Sequence, residues 1–154
     1  MNRKDHQSKG ARNNRQRRAA ALPQEDWEEA HFLNIDLDVR SRRSLAPLAA
    51  AWPWAQQPGR TDEKASPHWL IHMPRGGAGT AEAAARLLLK DIAALSPAAR
   101  RCWNQASRRT FDIGVQADMG GRAFEGVQLS PDTLARIAAV GGRLQVTVYR
   151  PERA

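Results

Sequence analysis

Residues Phe32–Arg40 alternate without a break: Leu33, Ile35, Leu37 and Val39 are apolar, while Asn34, Asp36, Asp38 and Arg40 are polar. A period of two over this length predicts a strand with one buried face and one wet face. Three further segments carry the same signature. His68–Met73 places Trp69, Ile71 and Met73 on one side, Thr110–Ala117 places Phe111, Ile113 and Val115 inward, and Arg143–Arg150 does so with Leu144, Val146 and Val148. A weaker strand is expected at Ala123–Leu129, after a hairpin-like turn over Asp118–Arg122 that carries a Gly-Gly pair.

Helix signals fill the gaps between these strands. Ser44 is placed to cap a short helix through about Trp52, with Pro47 in its first turn and Pro53 ending it. Trp54–Pro67 is polar, contains Pro and Gly, and reads as a loop. Thr80 precedes the longest helical pattern, Ala81–Leu95, whose apolar stripe is Ala81, Ala84, Ala85, Leu88, Ile92 and Leu95; Glu82 lies four residues before Arg86. Ser96-Pro97 restarts a helix to about Ala106, and Ser130-Pro131 starts a third, with Leu134, Ile137, Ala138 and Val140 as its face and Gly141-Gly142 as its stop. The resulting order is β-α-β-α-β-β-α-β. It predicts an α+β two-layer sandwich, with a mixed or antiparallel sheet and the helices on one face.

Charge divides the chain. Residues 1–22 hold seven Lys or Arg and one acid; the whole chain holds 24 basic and 16 acidic residues, which leaves 17 and 15 for the rest. Residues 1–22 are therefore expected to be a disordered basic arm, 23–31 an acidic linker, and 32–150 a single domain. The arm's cations, Arg3, Lys4, Lys9, Arg12, Arg15, Arg17 and Arg18, are candidates for phosphate contact without sequence preference. One cysteine, Cys102, excludes an intrachain disulfide, and no apolar run approaches the length of a membrane span. No secretory leader is evident, so a cytoplasmic location is expected. Arg outnumbers Lys 20 to 4, a compositional bias that weakens any argument from single arginines.

Chemistry concentrates on the wet faces of the strands. Asn34, Asp36 and Asp38 come from the first, His68 and His72 from the second, Asp112 and Gln116 from the third, and Gln145, Thr147 and Tyr149 from the last. Three carboxylates could hold a hard cation or meet a basic surface, although alternation puts polar residues on any solvated sheet. A second cluster is rich in Arg and Trp. It draws Arg40, Arg42, Arg43, Arg100, Arg101, Arg108 and Arg109 together with Trp52, Trp54 and Trp103; core positions for Trp52 and Trp103 are the simpler reading. Gly76–Thr80 lacks the Lys-Ser/Thr pair of a phosphate loop and reads as a Gly-rich connector with a Thr cap. Cys102 has no nearby His, and no catalytic or metal signature stands out.

The segments Arg109–Val115, Leu129–Ala138 and Gly141–Tyr149 together resemble the closing strand–helix–strand of a family of uncharacterised small bacterial α+β domains. Some of its members are proposed as immunity proteins of toxin systems. The likeness runs over about residues 32–150. It implies a binding or neutralising role with a protein partner such as a toxin, and carries no catalytic residues with it. The expectation is a non-enzymatic binding module with no cofactor, using Asp36, Asp38 and Asp112. The alternative is a nucleic-acid-associated protein using the arm, and the third reading is a small metal-dependent enzyme on the open sheet face. A homodimer is compatible with each.

Overall fold

The computed structural model describes residues 30–52, 59–61, 68–75, 79–117 and 126–150, with the backbone alone for 59–61 and 68–75. The basic arm and most of the acidic linker lie outside these residues. The elements, in order, are β1 (His31–Ser41), α1 (Ala46–Ala51), β2 (Gly59–Thr61), β3 (His68–Arg75), α2 (Ala81–Ala93), α3 (Pro97–Gln105), β4 (Arg108–Gln116), α4 (Pro131–Ala139) and β5 (Arg143–Tyr149). The expected α+β class is what forms. The order differs in two places. A short strand, β2, lies within the stretch expected to be a loop, and residues 126–129 of the expected fourth strand are not extended into the sheet; residues 118–125 lie outside the described residues.

The sheet is mixed, with strand order β2-β3-β1-β4-β5. β1 is central and antiparallel to both β3 and β4, whereas β5 runs parallel to β4 after the α4 crossover. The alternating residues Ile35, Leu37 and Val39 are fully buried, as are Phe111 and nearly so Ile113 from β4. Helix residues Leu48, Leu88, Ile92, Trp103 and Ile137 close the same core, so all four helices serve one face of the sheet. Burying a side chain of this size contributes about 1.5–3 kcal/mol against leaving it in water.

Expected core positions on two strands are corrected. The β1–β4 register shifts between Phe32 and Asn34, so Phe32 faces Val115 and joins the core while Leu33, the extra residue, is exposed. A bulge of this kind turns one side chain out of the alternation. On β5, Leu144, Val146 and Val148 sit opposite Phe111, Ile113 and Val115, on the helix side of the sheet, yet they are 40, 56 and 63% exposed. β5 is the outermost strand, and the helical layer does not extend over it.

α4 is held at both ends. At its start Ser130 is the N-cap, accepting from the Thr133 N–H at 3.2 Å. Glu82, in the first turn of α2, reaches across: its carboxylate accepts from the Ser130 N–H at 3.0 Å, the Ser130 hydroxyl at 2.9 Å and the Thr133 hydroxyl at 2.8 Å. Arg86 adds an i,i+4 ion pair at 2.7 Å. This dock rotates the helix so that Thr133 and Ile137, one turn apart, face inward, and the expected core residue Leu134 is left 41% exposed. At the far end the Trp103 indole N–H donates to the Val140 carbonyl at 3.0 Å. Gly141 N–H bonds Ala138 O and Gly142 N–H bonds Ile137 O, both at 2.9 Å, which forms a Schellman stop with Gly141 at φ +71.

Two predictions follow from this clamp. A Cβ on Gly142 would stand 2.6 Å from a Phe111 ring carbon and 2.9 Å from Ile137 Cγ2. Gly142→Ala is therefore expected to cost about 1–3 kcal/mol in denaturant unfolding, the range for an overpacked core. The Ser130 N–H, then the Thr133 and Ser130 hydroxyls and Arg86, hold the Glu82 carboxyl down from 4.5 to about 2. A depressed folded-state pKa gives stability that is present above 4.5 and lost as pH falls toward 2. Glu82→Gln should lower the melting temperature at neutral pH and remove this part of the acid dependence; an unchanged acid profile in the variant would contradict the clamp.

Candidate functional site

The face of the sheet opposite the helices carries the residues that the alternation marked as wet. Register brings the acids together: Asp36 of β1 lies directly across from Asp112 of β4, and Asp38 lies across from Thr110, one step further along the same face. Asp112 in turn pairs with Gln145 of β5. All three acids are half-buried, and Asp36 and Asp38 are both engaged in polar interactions. The register therefore concentrates three acids on one face, with Asp36 and Asp112 directly opposite each other.

The Asp112 carboxylate has a fixed orientation. Thr147 Oγ1 lies 2.8 Å from Oδ1 and 2.9 Å from Oδ2, so its hydroxyl donates to the carboxylate, and Gln145 Nε2 donates to Oδ2 at 2.9 Å. Both donors come from β5. Across the face the Asn34 amide donates to Asp36 Oδ1 at 3.1 Å. Gly114 sits beneath that amide: a Cβ there would meet Asn34 Oδ1 at 2.6 Å and Tyr149 Cε2 at 3.4 Å. The missing side chain lets Asn34 and Tyr149 close over β4. Arginines mark the opposite end of the face, where Arg40 lies across from Arg108, and Arg143 begins β5.

Among the described residues no three His, Cys, Asp or Glu side chains come together to hold an ion. His72 occupies the register position opposite Asp38, and His68 that opposite Thr61; the side chains of both lie outside the described residues. The described residues alone thus supply no ligand set for the third reading, a metal-dependent enzyme.

Several members of the Arg and Trp cluster have structural roles, whereas Arg42, Arg101 and Arg108 are exposed. Trp52 and Trp103 are buried and meet edge-on, with ring centroids 6.2 Å apart. Arg109 stacks its guanidinium 5.5 Å from the Trp103 ring centroid and donates to the carbonyls of Trp103, Asn104 and Ala106, capping the end of α3. Burial lowers its pKa, as it does for any cation withdrawn from water. Arg100 bonds the Ile92 carbonyl near the end of α2, and Arg43 donates to Gln105 at 3.1 Å. Neither tryptophan is available to stack on a base. Trp54 lies outside the described residues, as do Arg3, Lys4, Lys9, Arg12, Arg15, Arg17 and Arg18. Cys102 is half-buried against the Ser44 carbonyl, and burial pushes its thiol pKa up, away from the reactive thiolate. Thr80 caps α2 as expected, accepting from Ala83 N–H at 3.2 Å.

The roles of two residues named in the sequence were not legible there. Glu82 was visible only as the partner of Arg86, because nothing local connects it with Ser130. Thr147 was placed on the wet face, but its bond to Asp112 depends on β5 lying parallel beside β4. No helix among the described residues is long and apolar enough to cross a membrane. No family model matches the chain, and no curated protein or solved structure does.

Thr147→Val keeps the shape of the side chain and removes the donor to Asp112. Its expected cost is about 0.5–1.5 kcal/mol, read by denaturant unfolding. Thr147→Ser, which keeps the hydroxyl, should recover most of that loss.

Proposed function

We propose that this chain is a non-enzymatic binding domain whose open sheet face docks a basic surface of another protein through Asp36, Asp38 and Asp112. The observation that carries the reading is the like-charged cross-strand pair Asp36–Asp112. The facing acids concentrate negative charge on one side of the sheet, and a basic partner surface complements it. Asp112 is already oriented by Thr147 and Gln145, which reduces the ordering cost of association. The resemblance to immunity-like domains points the same way, with a toxin of basic surface as the partner class.

A second reading rests on the charge of residues 1–22. Seven cations against one acid favour phosphate contact by the arm, with steep salt dependence. The two readings part in one experiment. The tagged full chain is used to capture partners from native lysate, with and without nuclease, alongside a folded Asp36→Lys/Asp112→Lys variant. The first reading expects a basic protein near equal stoichiometry that survives nuclease and is lost with the charge-reversed variant. Capture that disappears with nuclease and with deletion of residues 1–22, while tolerating the charge reversal, overturns it in favour of nucleic acid.

A further inference from the structure

We propose that the outer edge of β5 pairs antiparallel with the β5 of a second copy of this chain, making one continuous sheet across a two-fold dimer. The inference is independent of the partner reading above.

Three observations converge on that edge. Among the described residues β5 pairs with β4 on one side only. The Tyr149 carbonyl accepts from the Ala117 N–H at 2.8 Å, so the backbone groups of Tyr149 point toward β4. Backbone direction alternates along a strand, so Thr147, Gln145 and Arg143 share that direction, and Leu144, Val146 and Val148 aim their N–H and C=O groups outward. The residues whose backbone finds no partner among the described residues are thus the residues whose apolar side chains stand exposed, from 40% at Leu144 to 63% at Val148.

The strand is also self-complementary. A two-fold axis through Val146 sets Val146 against its own copy and Leu144 against Val148 of the other, an apolar row on one face. Each outward residue then exchanges both backbone bonds with its opposite number, about six hydrogen bonds in all. On the other face Gln145 meets Thr147 and Arg143 meets Tyr149, so the strand's only formal charge opposes an aromatic ring rather than a second cation. No Pro, Lys or inward-facing charge protects this edge, and it is seven residues long. The opposite edge, β2, has only three residues. Short strands and charges are the usual ways of blocking edge pairing; β5 is long, and its one charge, Arg143, stands at its first position.

An intramolecular segment lying along β5, or another protein adding a strand to it, would use the same edge, and the test distinguishes these from a dimer. Sedimentation equilibrium of the full chain over a wide concentration range gives the mass, with Val146→Lys and Val148→Lys as variants. Both positions are more than half exposed, so the monomer fold should tolerate Lys, which circular dichroism checks. The expected result is a dimer that shifts by tenfold or more toward monomer when two lysines are forced together at the two-fold axis. Amide exchange at Leu144, Val146 and Val148 should slow as protein concentration rises. A wild-type chain that stays monomeric at high concentration, or a dimer unaffected by both variants, overturns the proposal. Concentration-independent protection of those three amides does so as well, and assigns the edge to a segment of the same chain.

Discussion

The fold depends on where α4 is fixed. A nine-residue helix that buries only Thr133 and Ile137 has little apolar area with which to hold itself in place. Polar contacts supply the position instead: Glu82 gathers the N-terminal cap, and Trp103 takes the carbonyl of Val140 at the other end. The chain leaves that clamp through Gly141 and Gly142 and enters β5 parallel to β4. Because Gly142 packs with no room for a Cβ against Phe111 and Ile137, helix and strand cannot drift apart without opening the core.

That placement reaches the opposite face. Thr147 and Gln145 arrive beside Asp112 only because β5 lies next to β4 in this register. The clamp lies on the helical side and the acidic cluster on the open side, but one strand belongs to both. A change at Glu82 therefore bears on the orientation of Asp112 without touching it.

Much of this was readable from the sequence, for local reasons. The alternation of β1 from Ile35 onward and of β4, the Thr80, Ser96 and Ser130 caps and the Gly141-Gly142 stop each depend on residues a few positions apart, and each forms as expected. The proximity of Asp36 to Asp112 required β1 and β4 to be neighbours, an assumption that the strand order satisfies. What escaped the sequence was non-local. The bulge at Leu33 is a register event between two strands. The outward turn of Leu134 follows from Glu82, 52 positions earlier in the chain. The exposure of Leu144, Val146 and Val148 defeats a pattern that ordinarily signals burial, because period two reports that a strand has an apolar face and not whether anything covers it.

The most direct test of this account is native-state amide exchange in the wild type and Glu82→Gln, comparing α4 with the β4-facing amides of Gln145 and Thr147. If the clamp sets the position of β5, protection in both elements falls together and by a similar factor in the variant. Loss of protection confined to α4, with Gln145 and Thr147 unchanged, would show that β5 is held by its strand pairing alone and would contradict the account.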